Sequence, residues 1–463
     1  MEYYFRKYTE DKTSPGIMRI WIGPKPIVIV YKPETAKIVL ESNELISKPF
    51  EYSVGAIFAS NFYKFVKDAT RLIACEFKYL TVSQMYKSNL YILDTLVQIL
   101  DDFAHQGYPF DFYRCIKLYA LDIICEAAMG IQMNTQSGKN AKYVEAVKKM
   151  CEISFYRMRS PWLWPDFLWR ISTSGKDFKN NLKTITEFTQ GVISNRKMER
   201  LLERTQKNSN LVNDSKIFGE EKKTSCFLDI LLDLQEQSDF TDEDIREEVE
   251  TFMFEGDITF MYYSHDTVSS SLGFMVFWLG HRPQLQEKLH KELHEIFNDD
   301  MKRDVTLEDM SKMRYGESCL RETMRLLPTV PIIGRGFIIP KGVTVMVPPF
   351  SIHRDPRYFH NPDEFDPEHF TTERVKMRNK EPYAYLPFSA GPRNCIGMLF
   401  MKRLKNKPIL GQKFASTEQK ITVAKIFRRY RVISTTHELE NRGLPELVLK
   451  PSNGFWVRME RIN

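Results

Sequence analysis

The chain has 463 residues, of which 43% are hydrophobic and 27% are charged, and its formal net charge is +6 at pH 7. This length is sufficient for a large buried core, and the composition is typical of a globular protein, which excludes a disordered or fibrous chain. A small, dispersed positive charge without a nucleic-acid motif also excludes nucleic acid as the partner.

The first predicted elements are two strands within residues 17–31, joined at the Gly-Pro-Lys-Pro sequence of residues 23–26. Apolar residues recur at helical spacing in residues 93–103 and again in residues 116–129, which predicts two helices. Residues 197–223 are polar and contain Asn, Asp and Ser clusters, so this segment is predicted to be a mobile surface loop.

The second half of the chain also reads as mainly helical. Thr241 is predicted to cap a helix with an acidic first turn, after which a long helix runs towards Gly280. Pro283 opens another helix, and a further helix covers residues 307–327. Residues 343–347 predict a buried strand, and residues 348–370 an ordered coil. We therefore predict a mainly α fold with small β-sheets, organised as one domain over residues 1–463.

Cysteine usage points to one special residue. The seven cysteines include no CxxC pair and are odd in number, which favours a reducing compartment over a disulfide framework.

No stretch of about 20 apolar residues predicts a transmembrane helix, so the sequence is expected to lack an N-terminal membrane anchor.

The most informative segment, residues 388–397, has the pattern FxxGxRxCxG. A thiolate at Cys395 could ligate iron, and a helix starting just after it would lower the pKa of the thiol. Gly391 and Gly397 would let the backbone approach a flat cofactor, Phe388 would cover the sulfur, and Arg393 would bind a haem propionate. The alternative is a buried cysteine in a Gly/Pro turn.

This segment resembles the cysteine loop of the cytochrome P450 superfamily, and the chain looks most like family four, whose members include fatty-acid hydroxylases. The resemblance extends from the strand pair to Pro451. It implies the cytochrome P450 fold, haem b as cofactor and a monooxygenase reaction on a small apolar substrate. It also implies NADPH-cytochrome P450 reductase and cytochrome b5 as electron donors, and a place on the cytosolic face of the endoplasmic reticulum membrane.

The resemblance assigns supporting residues as well. Glu322 and Arg325 match the family's ExxR helix, and His369, in a PERF-like segment, would be the third member of that cluster. Arg335 resembles a second propionate ligand. Without the family context, Glu322 and Arg325 would be read as a helix-surface pair, and Arg335 as a surface arginine.

The oxygen-activating helix is matched by residues 254–256 followed by residues 265–267, and Asp266 and Thr267 would relay protons to bound dioxygen. The alternative is a solvated polar pair. Residues 257–264 form an insertion inside this motif, which adds about two helical turns, or about 12 Å. Because this insertion would carry Glu255 away, we do not expect a covalent haem link.

Other family features depart from the pattern. Residues 62–71 lack the family's WxxxR motif, residues are missing between Arg335 and Ile338, and residues 398–411 form a second insertion. Two further functions therefore stay open: a haem-binding protein without turnover, or a non-functional product of an imperfect gene model.

Residues 154–169 resemble the roof of the family's substrate pocket; the alternative is that they form ordinary core or a lipid-facing surface. The basic residues of 402–407 would face a reductase, or else solvent.

Overall fold

The structure is a computed structural model that describes residues 15–22, 25–42, 82–210, 226–237, 241–250, 262–298, 300–336, 343–378, 380–391, 410–441, 443–445 and 448–462. The chain divides into two compact units. The larger unit comprises Met1–Val54, Asn89–Ala120 and Tyr263–Asn463, and the smaller comprises Gly55–Ser88 and Leu121–Tyr262. The single domain expected from the sequence stays a prediction.

Helices dominate the described residues, as predicted. The α-helices are α1 Pro33–Glu41, α2 Val82–Gln106, α3 Phe112–Met129, α4 Ala141–Met158, α5 Asp166–Ile171, α6 Thr173–Asn210, α7 Phe227–Gln237, α8 Asp242–Glu250, α9 Tyr262–Gly280, α10 Pro283–Phe297, α11 Leu307–Lys312, α12 Arg314–Leu326, α13 Pro349–Ile352, α14 Thr372–Arg378 and α15 Leu410–Phe427. Short 3-10 turns lie at Thr135–Ser137, Pro161–Leu163, Pro367–Phe370, Pro382–Ala384 and Glu438–Glu440.

The strands form three small sheets in the larger unit. They are β1 Ile17–Ile22, β2 Lys25–Val30, β3 Phe110–Asp111, β4 Ile333–Gly336, β5 Thr344–Val347, β6 Tyr430–Ser434, β7 Gly443–Pro445, β8 Leu449–Pro451 and β9 Trp456–Arg461. The orders are β1-β2-β5-β4, β3-β9-β6 and β7-β8. The predicted strand pair is confirmed as the β1–β2 hairpin, whose inner strand pairs in parallel with β5.

The four-stranded sheet packs against α1 and the segment that leads to the cysteine loop. Val30 of β2, Leu40 of α1 and Val345 of β5 are buried in one apolar cluster that also contains Leu386. Burying this apolar surface contributes about 25 cal/mol per Å² to stability. The packing therefore places the start of the cysteine loop beside the strand that carries Arg335.

Helix α9 is a core helix of the larger unit. Nearly every described side chain from Val268 to Leu279 is buried, which is typical of a helix that is apolar on all sides. Phe274 packs edge-on against Phe455 with ring centroids 4.7 Å apart. A side chain at Gly273 would lie 2.2 Å from the same ring, so the glycine permits this close packing.

The smaller unit corrects one prediction. Residues 197–210 belong to α6 and are helical, not a loop, whereas residues 211–223 lie outside the described residues. The Nε and Nη2 atoms of Arg196 donate to the two Asp229 carboxylate oxygens, each at 2.8 Å, and Arg200 and Arg204 pair with acidic residues of α7. Polar composition alone predicted a loop because these partners come from a distant segment.

Several helix ends are confirmed and one is not. Thr241 caps α8 by accepting a hydrogen bond from the Asp244 amide, and α9 ends at Gly280 as predicted. The helix expected over residues 307–327 is interrupted at Met313. The break is stabilised by Glu292, whose carboxylate accepts hydrogen bonds from the amides of Tyr315 and Gly316 in the first turn of α12.

The described helices and cysteines bear on two further expectations. None of the described helices has the length and apolar character needed to cross a membrane. None of the described cysteines forms a disulfide bond; they are Cys115, Cys125, Cys151, Cys226 and Cys319.

Candidate functional site

The ExxR pair lies in the core of the larger unit and not on a helix surface. Glu322 and Arg325 are on α12, and both side chains are completely buried. The Arg325 Nε and Nη2 atoms donate to the two oxygens of the Glu322 carboxylate, each at 2.7 Å. A buried, bidentate pair of this kind is short, strong and directional, because both partners are charged and planar.

His369 completes the cluster, as the resemblance implied. Its Nδ1 atom lies 3.2 Å from Glu322 Oε1, and its Nε2 atom lies 2.6 Å from the carbonyl oxygen of His360. Burial alone would raise the pKa of Glu322, but hydrogen bonds from Arg325 and His369 outweigh burial and hold this pKa below its ordinary value. The carboxylate is therefore charged and fully engaged.

Arg325 also organises the coil that follows β5. Its guanidinium donates to the carbonyl oxygens of His353, Pro362 and Glu364 at 3.1, 2.6 and 2.9 Å. One buried cation therefore binds the predicted coil at three points, and the first residues of this segment form the short helix α13. Backbone carbonyls buried without such a donor would each cost about 1–3 kcal/mol.

His353 connects this cluster to the cysteine loop. The Leu386 amide donates to His353 Nε2 at 2.7 Å, so Nδ1 carries the proton and donates to the Arg325 carbonyl oxygen at 3.2 Å. Burial and the nearby Arg325 charge lower the pKa of His353 to about 3, which keeps the ring neutral. Sequence reasoning missed His353, because a single histidine in a coil carries no pattern.

The first residues of the cysteine loop have an unusual backbone. Ser389 and Gly391 have φ angles of 61° and 78°, in the left-handed region. A Cβ atom on Gly391 would lie 1.7 Å from the carbonyl oxygen of Leu40, so only glycine fits here. The described close approach at Gly391 is thus to α1, and its predicted role beside a cofactor stays a prediction. Phe388 is half-buried.

Arg335 is a buried cation beside this loop, not a surface arginine. It is 5% exposed on β4, where Nη1 donates to the Gly334 carbonyl oxygen at 3.0 Å. Its Nη2 atom reaches Ser389 Oγ at 3.5 Å. A buried guanidinium next to the cysteine loop is the donor that a propionate carboxylate requires. The described residues therefore fit a haem group.

The predicted iron ligand itself lies outside the described residues. The same is true of Arg393 and Gly397, of Glu255, of the basic residues 402–407 and of most of both predicted insertions. Among the described cysteines, burial raises the pKa of Cys115 to about 11 and of Cys226 to about 12, and it also raises that of Cys125 and Cys319. These four remain thiols, which disfavours them as iron ligands.

Asp266 and Thr267 lie near the start of α9, and Asp266 is not a solvated residue. Its side chain is 1% exposed, and Lys117 Nζ of α3 lies 2.9 Å from its Oδ1 atom. His265 Nε2 lies 3.4 Å from the same oxygen. Burial would raise the pKa of Asp266, but Lys117, His265 and Lys450 lower it to about 2. Thr267 is half-buried.

Sequence reasoning did not identify Lys117. It lies in the apolar pattern of α3, where a lysine reads as an ordinary helix residue whose head reaches solvent. Only the approach of α3 and α9 within the larger unit pairs it with Asp266.

Comparisons with known proteins identify the same family that the sequence of the cysteine loop resembles. A family profile described as Cytochrome P450 matches residues 2–403, and this match ends inside the second predicted insertion. Cytochrome P450 4V2 of Mus musculus is 35% identical over 470 residues, which cover 98% of this chain and 84% of the relative. Cytochrome P450 4V2 of Homo sapiens is 34% identical over 475 residues, with 99% and 84% covered.

An insect relative is similar to the same extent. Cytochrome P450 4c3 of Drosophila melanogaster is 32% identical over 469 residues, which cover 96% of this chain and 82% of the relative. The matches span both units, and the predicted resemblance to family four is confirmed. The chain therefore belongs to the cytochrome P450 family of monooxygenases, whose cofactor is haem b.

Proposed function

We propose that this protein uses haem b, held by the Cys395 thiolate, to insert one oxygen atom of O2 into an apolar substrate such as a fatty acid. Electrons come from NADPH through cytochrome P450 reductase, with cytochrome b5 as a further donor. The observation that carries the proposal is the buried Glu322–Arg325–His369 cluster, which His353 joins to the segment leading to Cys395. Fatty acids are proposed because family four includes fatty-acid hydroxylases.

Different residues are proposed to bind different parts of the cofactor. Arg335 and Arg393 would bind the haem propionates, and Phe388 and Gly397 would shape the cover around the sulfur of Cys395. Haem, when bound, supplies the binding and activation of dioxygen. The protein contributes the ligand, the fixed cations and the exclusion of water.

Two polar residues of α9 are proposed to move protons. Thr267 would hold a proton at its hydroxyl for the dioxygen chemistry that haem supplies, and Asp266 would pass protons to that hydroxyl. Asp266 has its pKa held at about 2, so at neutral pH it is charged and acts as an acceptor that passes protons on.

The test is NADPH-dependent turnover with added reductase and dodecanoate or hexadecanoate. We expect hydroxylated fatty acid from the wild type and a loss of coupled product of about tenfold or more in Thr267→Ala, because positioned proton transfer contributes about 10²–10⁴-fold to rate. Thr184→Ala is the control, because Thr184 is also helical and half-buried but lies on α6.

The alternatives give different results in the same assay. Protein that binds haem but forms no product with any fatty acid would support the haem-binding function without turnover. A chain that never yields folded haem protein would support the non-functional product. Either result contradicts the proposal.

We also propose that residues 159–171 rest on the cytosolic face of the endoplasmic reticulum membrane. Trp162, Phe167 and Ile171 are 62%, 68% and 68% exposed, and they form the patch that we call the α5 patch. Arg159 and Arg170 are exposed beside it. Exposed aromatic and aliphatic side chains flanked by cations are typical of surfaces that enter the lipid headgroup region.

Vesicle binding tests this surface. Changing the three α5 patch residues to serine is expected to weaken co-sedimentation with phosphatidylcholine–phosphatidylserine vesicles at least about tenfold, because 1.4 kcal/mol of lost apolar burial is a factor of ten. The control changes three exposed apolar residues of α6 to serine: Met198, Leu201 and Leu202. Equal binding by wild type and patch variant would contradict the proposal.

A further inference from the structure

The Asp266 carboxylate has a partner that reaches towards solvent. Lys117 Nζ lies 2.9 Å from Asp266 Oδ1, and the lysine side chain is 21% exposed whereas the aspartate is 1% exposed. Both residues are in the larger unit. The pair therefore joins a buried carboxylate on α9 to a side chain that is partly in contact with water.

Among the described residues, Lys117 is the nearest full positive charge to this carboxylate. The other groups that face it are His265, at 3.4 Å on the same helix, and Lys450 of β8, which adds a weaker positive field. Burial lowers the pKa of His265 to about 4, so its ring is neutral at neutral pH. Of the groups named here, Lys117 makes the largest contribution to keeping Asp266 ionised.

A hydroxyl follows Asp266 on the same face of the helix. Ser270 is one turn further along α9, and its Oγ atom is buried with no hydrogen-bond partner among the described residues. Buried hydroxyls without a partner are uncommon in folded proteins, because each costs about 1–3 kcal/mol. Ser270 is therefore a second buried polar group at helical spacing from Asp266, beside the buried Ser269 and Ser271.

We propose that Lys117 is a positioning residue for proton delivery: it holds the Asp266 carboxylate charged and oriented at the point where protons enter from solvent. This inference rests on the proposed function, in which Asp266 serves the relay. Lys117 acts through Asp266 and touches neither substrate nor haem. The competing explanation is a structural ion pair, which apolar residues can often replace without loss of stability.

Coupling efficiency separates these explanations. It is measured on the holoprotein with reductase, as product formed and hydrogen peroxide released per NADPH consumed. We expect Lys117→Met to lower coupling about tenfold, as Asp266→Asn does, and the double variant to be no worse than either single variant. Lys117→Arg is expected to stay within about twofold of the wild type, because arginine keeps the charge.

The control is a buried lysine of the same unit that also forms ion pairs. Lys425 on α15 is 2% exposed and pairs with Asp94 and Asp304 at 2.8 and 3.0 Å. Lys425→Met removes a buried cation whose two exposed partners lie on α2 and just before α11, not on α9, so folded Lys425→Met protein should retain wild-type coupling. If Lys425→Met uncouples the enzyme as much as Lys117→Met, the loss is general and the proposal fails.

A second readout needs no turnover. In the wild type, the lowered pKa of Asp266 gives stability that is present above the unfolded pKa of about 3.9 and is lost only towards pH 2. Without Lys117, only His265 and Lys450 oppose the effect of burial, so the pKa of Asp266 rises and the stability that its charged form gives becomes smaller. The thermal midpoint of Lys117→Met should therefore drop further below the wild type at pH 7 than at pH 3.

The outcomes are distinguishable from failure of the proposed function. Wild-type coupling in Asp266→Asn would remove the relay role of Asp266 itself. An uncoupled Asp266→Asn with a coupled Lys117→Met overturns only the inference about Lys117, as does a pH-independent difference in thermal midpoint. If Lys117→Met does not fold, Lys117→Arg decides: near wild-type coupling supports the inference, and an uncoupled arginine variant overturns it.

Discussion

Replacing Arg325 by leucine is expected to prevent accumulation of folded protein. The substitution leaves the Glu322 carboxylate buried without its cation, and breaking a buried pair in this way costs about 3–5 kcal/mol. It also removes the donor from three carbonyl oxygens, of which that of His353 is in a fully buried hydrogen bond. The sum approaches the whole stability of an ordinary domain, which is about 5–15 kcal/mol.

The measurement is the yield of soluble protein and its midpoint of denaturant unfolding. Arg282→Leu is the matched control, because Arg282 donates to both Glu438 oxygens at 3.0 Å but both side chains are partly exposed. We expect a loss of about 1 kcal/mol or less for the control. Equal destabilisation by the two variants would contradict the importance assigned to the buried cluster.

Changing Gly391 to alanine is expected to disrupt the start of the cysteine loop. The φ angle of 78° costs about 1–2 kcal/mol with a Cβ atom present, and that atom would lie 1.7 Å from the Leu40 carbonyl oxygen. Because the clash is with backbone, relief requires the loop or α1 to move. We expect loss of bound haem together with lower stability.

Gly107 provides the control for this effect. Its φ angle is 70°, but a Cβ atom added there would meet no neighbouring atom within 4 Å, so Gly107→Ala incurs only the backbone cost. The variant at Gly391 should be at least about 2 kcal/mol less stable than the variant at Gly107 in denaturant titration. If the two variants lose the same stability and both keep haem, the close contact with α1 is unimportant.

Sequence patterns predicted the fold well where neighbouring residues, such as turn residues and helix caps, determine the local structure. The Gly-Pro-Lys-Pro sequence of residues 23–26 predicted the junction between β1 and β2, and Thr241 and Gly280 marked helix ends. Sequence patterns gave wrong predictions where contacts with residues distant in the chain determine the local structure. Residues 197–210 are helical, in a helix whose arginines pair with α7, and Met313 interrupts a helix because Glu292 binds the amides of the next turn.

The residues of the site also fall into those that the sequence predicted and those that only the structure reveals. Spacing and resemblance together predicted that Glu322, Arg325 and His369 would meet, and the structure confirms their contact. Neither spacing nor resemblance could indicate Lys117 or His353. Lys117 acts through its ion pair with Asp266, and His353 acts through hydrogen bonds to Leu386 and Arg325, all of which are distant in the chain.

The reduced carbon monoxide difference spectrum tests the central claim, that one cysteine donates its charge to the haem iron. The purified wild type is expected to show the Soret band of a thiolate-ligated haem. Cys395→Ala is expected to lose this band, whereas Cys125→Ala, which removes a buried free thiol of the described chain, should retain it. An unchanged Soret band in Cys395→Ala would contradict the assignment of the ligand.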